Sequence, residues 1–506
     1  MHNKHNCSNN NNRYFYSLWR NRYIRDCIRN NVCSDTFIDA TIEYLNNNHR
    51  FLSLFSYNEK VEYNIIIHVK IKNRDDVIEY VNNKHRDLID RISIVNGVDV
   101  TIDNDQQQQQ QQQQPSRVIR YDCDLFHQGL QSLSFPNQKH MVGSGKLPDS
   151  IRKLTISEAV DKNINNPLVD MILAELPSQL ERLSLPRGLN INVPTCKLPN
   201  TLKDFRFRGT YENLKPFVVP PNKVFDCTID VKSDQDLQWL TQHTWVNQAI
   251  FKTEFDATRV LPSHLTSIKI DFLDGRLEKG ILPSSLTSLY IFDYDEPLEV
   301  GVLPPGLLEL DLPDYDHPLE QGHLPDSLTE LDLGSYNQPL EPFVLPNNLT
   351  RLTMYSFNQE CFQANTLPHS LSYLQLWSFK GSFEHVGSLD NPLYNCYMPQ
   401  LIVDTLHESV ATLLQNVTTI KITTNQIGNN VYLKDTAIQD LVIVYRSDRY
   451  NLYPGFLPST LQKLDIIGLD IKMDNLIPQS CIYLKTDIVD LNSKLIPLSV
   501  QITKYE

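Results

Sequence analysis

The stretch LPPGLLELDLPDYDHPLEQGH at residues 303–323 is one copy of a phrase that returns along the chain. A Leu-Pro step opens the phrase, and apolar residues follow at its fifth, eighth and tenth positions. Five such steps follow one another at intervals of 21 residues and a sixth comes after 22, at Leu261, Leu282, Leu303, Leu324, Leu345 and Leu367. A period of about 20 to 50 residues predicts a solenoid, in which each short unit buries its apolar face against its neighbours.

The alternation of apolar and polar residues around Leu310 and Leu312 predicts a short strand with one buried side. We expect both leucines to point into the core and the strands of successive coils to be parallel. Proline after the opening leucine, as at Pro304, fixes φ and lacks a donor, so the segment before the strand should be extended or a tight turn. The sequence therefore predicts a mainly β fold, a leucine-rich-repeat-like solenoid of 21–22-residue coils with parallel strands.

Several copies end in an aromatic residue, a polar pair, Pro and Leu, as in YDEPL at 294–298, YDHPL at 315–319 and YNQPL at 336–340. Together with the opening Leu-Pro-x-x-Leu-x-x-Leu-x-Leu, this ending resembles the FNIP repeat, a relative of the leucine-rich repeat. The resemblance is specific over residues 261–387 and looser elsewhere. It implies a solenoid and, in broad terms, a role in protein interaction, and it brings no catalytic residues with it.

The rest of the chain suggests further divisions around the repeats. Helical spacing and a β-rich run precede them, and nine glutamines at 106–114 behave as a low-complexity linker. Weaker copies of the phrase continue on both sides of the regular ones. We predict a disordered Asn-rich N-terminus at 1–12, a small α+β or helical N-terminal domain at 13–104, a polyglutamine linker at 105–117, and the solenoid at 118–506, irregular at about 388–412.

Charge and cysteine content limit the partners and the compartment. Residues 1–105 hold 14 Lys and Arg against 14 Asp and Glu, so the formal charge of −14 belongs to residues 106–506. An acidic solenoid is a poor candidate for nucleic-acid binding, because attraction to phosphate supplies most of that affinity. The nine cysteines contain no Cys-x-x-Cys pair, the first residues are polar, and no run of about 18 apolar residues occurs. We expect an intracellular protein, cytoplasmic or nuclear, that does not bind a membrane.

Motifs that carry chemistry are weak in this sequence. Gly143-Ser-Gly-Lys146 resembles the end of a phosphate-binding loop, but the full spacing is absent and the repeat explains the glycine as a corner of the coil. The histidines and cysteines show no metal-ligand spacing. We therefore predict no catalytic residue, no metal, no cofactor and no enzyme activity.

The residues that flank the inward leucines are the informative ones, because in leucine-rich-repeat geometry they form the concave face, the usual binding surface of solenoids. Earlier copies place basic residues there, whereas the central copies place acidic and aromatic ones. A solvated polar face with no ligand is the alternative interpretation. The predicted partner-binding residues are Tyr290, Phe292, Glu309, Asp311, Glu330, Asp332, Tyr355, Tyr373 and Trp377.

These observations favour a non-enzymatic scaffold that binds a protein partner, possibly one with a basic segment, on the concave strand face. Exposed aromatic residues would anchor the partner, and acidic residues would speed the encounter. One alternative is an F-box-like substrate receptor of a ubiquitin ligase that captures a Skp-type adaptor, although the usual Leu-Pro opening of an F-box is missing. The other is a structural spacer with no selective ligand.

Overall fold

A computed structural model describes residues 21–102, 118–158, 166–256, 259–385 and 400–505. The chain divides into two compact units, Met1–Ile229 and Asp230–Glu506. The predicted N-terminal segment 1–12 and the glutamine linker 105–117 lie outside the described residues, as do residues 388–399 of the predicted irregular stretch. The predicted domain boundaries stay predictions.

The first unit contains six α-helices among its described residues, and short 3-10 helices cover Arg86–Leu88 and Cys123–Leu125. The helices are α1 (Arg22–Val32), α2 (Ile42–Leu52), α3 (Tyr57–Glu62), α4 (Arg74–Asn82), α5 (Pro167–Ala174) and α6 (Tyr211–Leu214). The strands are β1 (Phe37–Ala40), β2 (Ile66–Ile71), β3 (Arg91–Ile94), β4 (Ile119–Asp122), β5 (Ser132–Pro136), β6 (Met141–Ser144), β7 (Lys153–Ser157), β8 (Arg182–Ser184), β9 (Cys196–Lys197), β10 (Asp204–Arg206), β11 (Arg208–Gly209), β12 (Phe217–Val218) and β13 (Phe225–Val231), which crosses the unit boundary.

The helices before β3 begin at recognisable capping residues. The side chains of Asn21, Thr41, Ser56 and Asn73 each accept a hydrogen bond from the first turn of the helix that follows, as N-cap residues do. Strands β1, β2 and β3 alternate with these helices and pair in parallel, and β3 pairs with β5. Residues 22–94 thus have the mixed α+β content that the sequence suggested, and their strands are in one parallel sheet ordered β1-β2-β3-β5-β7-β8-β10. The F-box alternative stays a prediction.

In the second unit the strands dominate. Its helices are α7 (Asp234–Gln242), α8 (Val410–Leu413) and the 3-10 helix Ser493–Leu495. Its strands are β14 (Val246–Phe251), β15 (Phe255–Asp256), β16 (Ser267–Ile270), β17 (Leu273–Asp274), β18 (Ser288–Ile291), β19 (Glu309–Asp311), β20 (Glu330–Asp332), β21 (Arg351–Thr353), β22 (Tyr373–Leu376), β23 (Gln400–Leu406), β24 (Thr419–Ile427), β25 (Asp440–Tyr445), β26 (Tyr450–Asn451), β27 (Lys463–Ile467), β28 (Leu469–Asp470), β29 (Tyr483–Thr486) and β30 (Gln501–Lys504).

One long sheet of parallel strands runs through this unit, with one strand per coil, in the order β14-β16-β18-β19-β20-β21-β22-β23-β24-β25-β27-β29-β30. The predicted solenoid of parallel strands is therefore confirmed. The register advances by about one repeat per strand, except where Tyr373 pairs with Gln400. That step spans 27 positions, whereas the two steps before it span 21 and 22.

Leucines in register form the core of the repeats. Leu310 pairs with Leu289 on one side and Leu331 on the other, and each is at most 2% exposed. Leu312 is equally buried. The proline of each Leu-Pro step accepts a hydrogen bond from the leucine three residues later, as between Pro304 and Leu307 at 3.1 Å. The opening phrase is thus the tight turn that delivers the chain to the strand.

The aromatic-polar-polar-Pro-Leu ending of the repeat has two structural roles. Its aromatic rings form a buried stack in which Tyr294, Tyr315, Tyr336 and Phe357 follow one another at centroid distances of 6.3–6.4 Å. The residue after each ring forms a second ladder: the side chain of Asp316 accepts from the backbone N–H of Asn337 at 2.8 Å, and the same bond recurs one coil later. The phrase therefore satisfies backbone donors from one coil to the next.

Glycine occupies the corner before three consecutive Leu-Pro steps, at Gly280, Gly301 and Gly322, because that corner has positive φ. Gly301 and Gly322 adopt φ of +81° and +89°, values that cost a residue with a Cβ free energy. One repeat later the corner is occupied by Phe343, which keeps φ at +64° while its side chain is 61% exposed. The chain therefore retains local strain at Phe343 without gaining core packing in return.

We expect Leu310→Asp to destabilise the second unit by more than about 3 kcal/mol, because it buries a carboxylate in a leucine row without water or a counter-ion. Leu308→Asp is the matched control, because Leu308 is two residues away and 42% exposed, and its cost should stay within about 0.5 kcal/mol. Chemical denaturation measures both. Equal stability of the two variants would contradict the assignment of the inward side.

Phe343→Gly should stabilise the protein by about 1 kcal/mol, because glycine adopts the left-handed corner without steric cost. Val300→Gly serves as the control, since Val300 is also exposed but does not have positive φ; that change should cost about 0.4–1 kcal/mol through the entropy of the unfolded chain. Thermal unfolding of both variants gives the comparison. A loss of stability in Phe343→Gly would show that the ring has a packing role.

Candidate protein-binding face

The outward side of the strands brings most of the predicted partner-binding residues into two rows. In the first row Ser288, Glu309, Glu330, Arg351 and Tyr373 are successive partners in register. In the second row, two positions further along each strand, the order is Lys269, Tyr290, Asp311, Asp332, Thr353 and Gln375. Their alternation with the buried leucines places both rows on the side of the sheet away from the core.

The centre of this surface is acidic. Glu309 pairs with Glu330 and Asp311 with Asp332, so four carboxylates occupy two neighbouring strands about 4.8 Å apart. We call these four residues the acidic face. A shallow groove of about 220 Å³ lies over them, lined by both rows from Ser288 to Thr353.

Burial distinguishes the two aspartates from the two glutamates. Glu309 and Glu330 are exposed, whereas Asp311 and Asp332 are half-buried between the rows. Burial raises the pKa of Asp311 to about 6, against the opposing charge of Lys269. Burial and then the neighbouring Asp311 raise the pKa of Asp332 to about 7, although Arg351 opposes the shift. The Oδ1 atom of Asp332 is buried without a hydrogen-bond partner, so this carboxylate lacks the donors that its ionised form requires.

Cation–aromatic pairs border the acidic face on both sides. On one side the Nζ atom of Lys269 lies 3.7 Å from the ring centroid of Tyr290. On the other, the guanidinium of Arg351 lies 3.8 Å from the ring centroid of Tyr373 and its Nε atom is 3.9 Å from Glu330. The sequence prediction named both tyrosines but missed both cations. The 21-residue period would have revealed Lys269, which is one repeat before Tyr290.

The remaining three predicted residues lie just past the strand ends rather than within the rows. Phe292 follows β18, Tyr355 lies two residues beyond β21, and Trp377 follows β22. Phe292 is 50% exposed and stacks near Tyr290 with centroids 6.5 Å apart. Trp377 is half-buried beneath the guanidinium of Arg446, which lies 4.6 Å from its ring centroid. Its aromatic face is thus already covered by a cation, and Phe292 and Tyr355 are the more accessible rings.

This arrangement has the chemistry to bind cations. Four carboxylates supply negative charge, two of them partly desolvated, and aromatic rings at the borders supply faces that attract Lys or Arg side chains. Within the described part of the chain, no group of three or more His, Cys, Asp or Glu side chains is placed to hold a metal ion. No described helix is long and apolar enough to cross a membrane.

Comparison with known proteins gives a repeat family and several solved folds. The model of the FNIP repeat matches residues 272–315, 315–356 and 336–379. The solved structures include the circular leucine-rich-repeat protein CroV588, with 19% identity, coverage of 85% of this chain and 67% of that one, and a TM-score of 0.44. They also include YopM from Yersinia enterocolitica WA-314, with 17% identity, coverage of 75% and 87%, and a TM-score of 0.33. TLR13 in its complex with ssRNA13 has 13% identity, coverage of 88% and 79%, and a TM-score of 0.47.

No curated protein matches the chain. The family match covers the coils in which the Leu-Pro turn, the leucine row and the aromatic stack were described above. Residues 272–379 of the parallel-strand solenoid thus match the FNIP repeat.

Proposed function

We propose that this protein is a non-enzymatic interaction scaffold whose acidic face binds a basic segment of a partner protein. The observation that carries the proposal is the unpaired, half-buried carboxylate of Asp332 beside Asp311. A partner's ammonium or guanidinium group supplies the missing donors and relieves the repulsion between the two aspartates. Tyr290, Phe292, Tyr355 and Tyr373 then provide aromatic contacts around the incoming cation.

The internal cations support this assignment. Lys269 and Arg351 already lie against the aromatic rings at the two borders of the acidic face, so the rings tolerate a desolvated cation there. Within the described part of the chain, neither cation forms a salt bridge with Asp311 or Asp332, so the centre of the face has no internal counter-ion at salt-bridge distance. A basic segment laid across the strands adds contacts that the chain does not make by itself.

The wider setting follows from charge and cysteine use. We propose that nucleic acids and anionic membrane surfaces are not partners, because a formal charge of −14 opposes binding to them. We place the protein inside the cell, in the cytoplasm or the nucleus, because nine cysteines without paired spacing fit a reducing compartment. Capture of a Skp-type adaptor by residues 13–60 would instead favour the F-box-like receptor.

Neutralising the acidic face should weaken binding of a basic probe at least tenfold. We expect this for the variant E309Q/D311N/E330Q/D332N with a labelled peptide of four arginines alternating with glycines, measured by fluorescence anisotropy. Affinity for the unmodified chain should fall as salt rises, because the contact is between charges. The isosteric changes preserve side-chain size, so the fold should be unaffected, which circular dichroism checks.

The control removes the same charge elsewhere. Glu278, Glu299, Glu320 and Glu341 form an exposed row at the same period, in the coil segment that precedes each Leu-Pro step. The variant E278Q/E299Q/E320Q/E341Q should change affinity by less than twofold. Equal losses of affinity in both variants would mean that only the net charge of the chain matters. That result, or an affinity that changes neither with salt nor with either set of substitutions, would make the structural spacer the better interpretation.

Asp332→Asn should stabilise the unliganded protein more at high pH than at low pH. The folded-state pKa of about 7 lies above the ordinary value, so the folded state favours the protonated form, and stability is lost as pH rises through the interval from about 4 to 7. We expect a gain of about 1 kcal/mol at pH 8 and much less at pH 5. Denaturant unfolding at both pH values tests this, with Glu309→Gln as the exposed control. A pH-independent difference would contradict the assigned shift.

A further inference from the structure

The first unit has a face of the opposite charge. On the outward side of its sheet, one row runs Asp39, His68, Arg91, Ser132, Lys153, Arg182 and Asp204 in register, with an aspartate at each end. The second row runs Lys70, Ser93, Ser134, Thr155, Ser184 and Arg206. One row is therefore rich in cations, and the other contains four consecutive hydroxyl side chains. We call the surface of Arg91, Lys153, Arg182 and Arg206 the basic face.

Three of these cations have no acidic partner. Among the described residues, Arg91, Lys153 and Arg182 make no salt bridge, whereas Arg206 pairs with Asp204 at 3.1 Å. Desolvation and then the charges of Arg91, Arg182 and Arg206 lower the pKa of Lys153. The fold therefore concentrates positive charge around a half-buried lysine, at a cost in stability.

Several other cations of the unit are paired with carboxylates. Glu181 binds Arg152 at 3.2 Å and Lys203 at 2.9 Å, and Glu59 binds Arg29 at 2.7 Å. The sequence therefore supplies carboxylates to cations where they serve the fold. Their absence beside Arg91, Lys153 and Arg182 leaves charge available for a ligand.

Unfilled hydrogen-bonding capacity is a second, independent observation on this surface. The Nε atom of Arg91 and the Nε2 atom of its register partner His68 are both buried without a hydrogen-bond partner. In addition, the hydroxyls of Ser134 and Thr155 are half-buried and make no side-chain hydrogen bond within the described part of the chain. The Nε–H of Arg91 and two hydroxyls thus lie unengaged among the cations of this surface, whereas His68 donates its Nδ1–H to Asp39 at 2.9 Å and keeps Nε2 as an acceptor.

A phosphate group matches this set of donors. Lys153 and Arg182 are register partners on adjacent strands, about 4.8 Å apart, a spacing at which both contact a single phosphate. A phosphorylated side chain brings a charge of about −1.5 to −2 and three acceptor oxygens, which Lys, Arg and hydroxyl donors can satisfy together. We propose that the basic face binds a phosphorylated serine or threonine in an extended segment of a partner protein.

The surface does not have the features of a single-strand nucleic-acid site. Such sites combine positive charge with aromatic side chains on which bases stack. From β3 to β10 neither row contains an aromatic residue. The ring beside the face is Phe37 on β1, which already packs against His68 with centroids 5.1 Å apart and lies 5.8 Å from the guanidinium carbon of Arg91, and the chain as a whole is acidic. A short phosphorylated peptide gains from the local charge without placing a long polyanion against the rest of the protein.

The test uses the full chain and a labelled peptide Gly-Gly-Asp-Ser-Asp-Gly-Gly, with its serine phosphorylated or unmodified. We expect the phosphorylated form to bind at least tenfold more tightly by fluorescence anisotropy, with affinity that falls as salt rises. K153Q/R182Q should remove that preference, and R91Q alone should weaken it severalfold. K197Q/K215Q is the control of equal charge change on exposed lysines of the same unit and should bind as the unmodified chain does.

Thermal unfolding of each variant separates loss of the face from loss of the fold; removing unpaired like charges should leave the melting temperature equal or higher. Three results would overturn the proposal: equal binding of the two peptides, equal losses in K153Q/R182Q and K197Q/K215Q, or tighter binding of a ten-nucleotide oligouridylate than of the phosphopeptide. Because the acidic face is unchanged in these variants, the outcome is independent of the basic-partner proposal. Arginine-peptide binding in K153Q/R182Q checks this independence.

Discussion

Each coil of this protein depends on the next coil for its hydrogen bonds and for one side of its core. The carbonyl of Thr287 accepts from the N–H groups of both Leu308 and Glu309, at 2.8 and 3.0 Å, and the carbonyl of Leu308 does the same for the following coil. A single coil of about 21 residues has no such partners and cannot bury its leucines alone. Folding is therefore a property of the stack, and the repeat must preserve its register to maintain these bonds.

The same register determines which side chains are neighbours on the outward surface of the sheet. A position repeated every 21 residues becomes a row of side chains about 4.8 Å apart, so any charge repeated in sequence becomes a ladder of like charges. The fold can place Glu309 beside Glu330 or Lys153 beside Arg182 only at an electrostatic cost. Such ladders are costly in isolation and favourable when a ligand of opposite charge covers them, which links the solenoid architecture to recognition.

The sequence predicted the structural features that the repeat period determines. It did not predict the features that depend on which neighbouring groups a side chain contacts. The inward leucines, the tight turn after Pro304 and the glycine corners follow from the repeated letters, and the structure contains all three. The ladder of Asp and Asn side chains that begins at Asp295 was not predicted, because a polar residue after an aromatic one does not show which backbone group its side chain will bond. The desolvation of Asp332 was also hidden, because half-burial depends on the neighbouring rows and not on the repeat itself.

Neighbouring coils show that the fold does not require acidic residues at the acidic face. The position of Glu309 and Glu330 is serine in the coil before and arginine in the coil after, and the position of Asp311 and Asp332 is followed by Thr353. The leucines between these positions remain buried in every case. Packing and backbone pairing accommodate Ser288, Arg351 and Thr353 equally well, so the carboxylates are not needed for the architecture. The unpaired Asp332 costs stability, and a threonine at this position, as in the next coil, would avoid that cost. In the function that we propose, recognition of a cation recovers this cost.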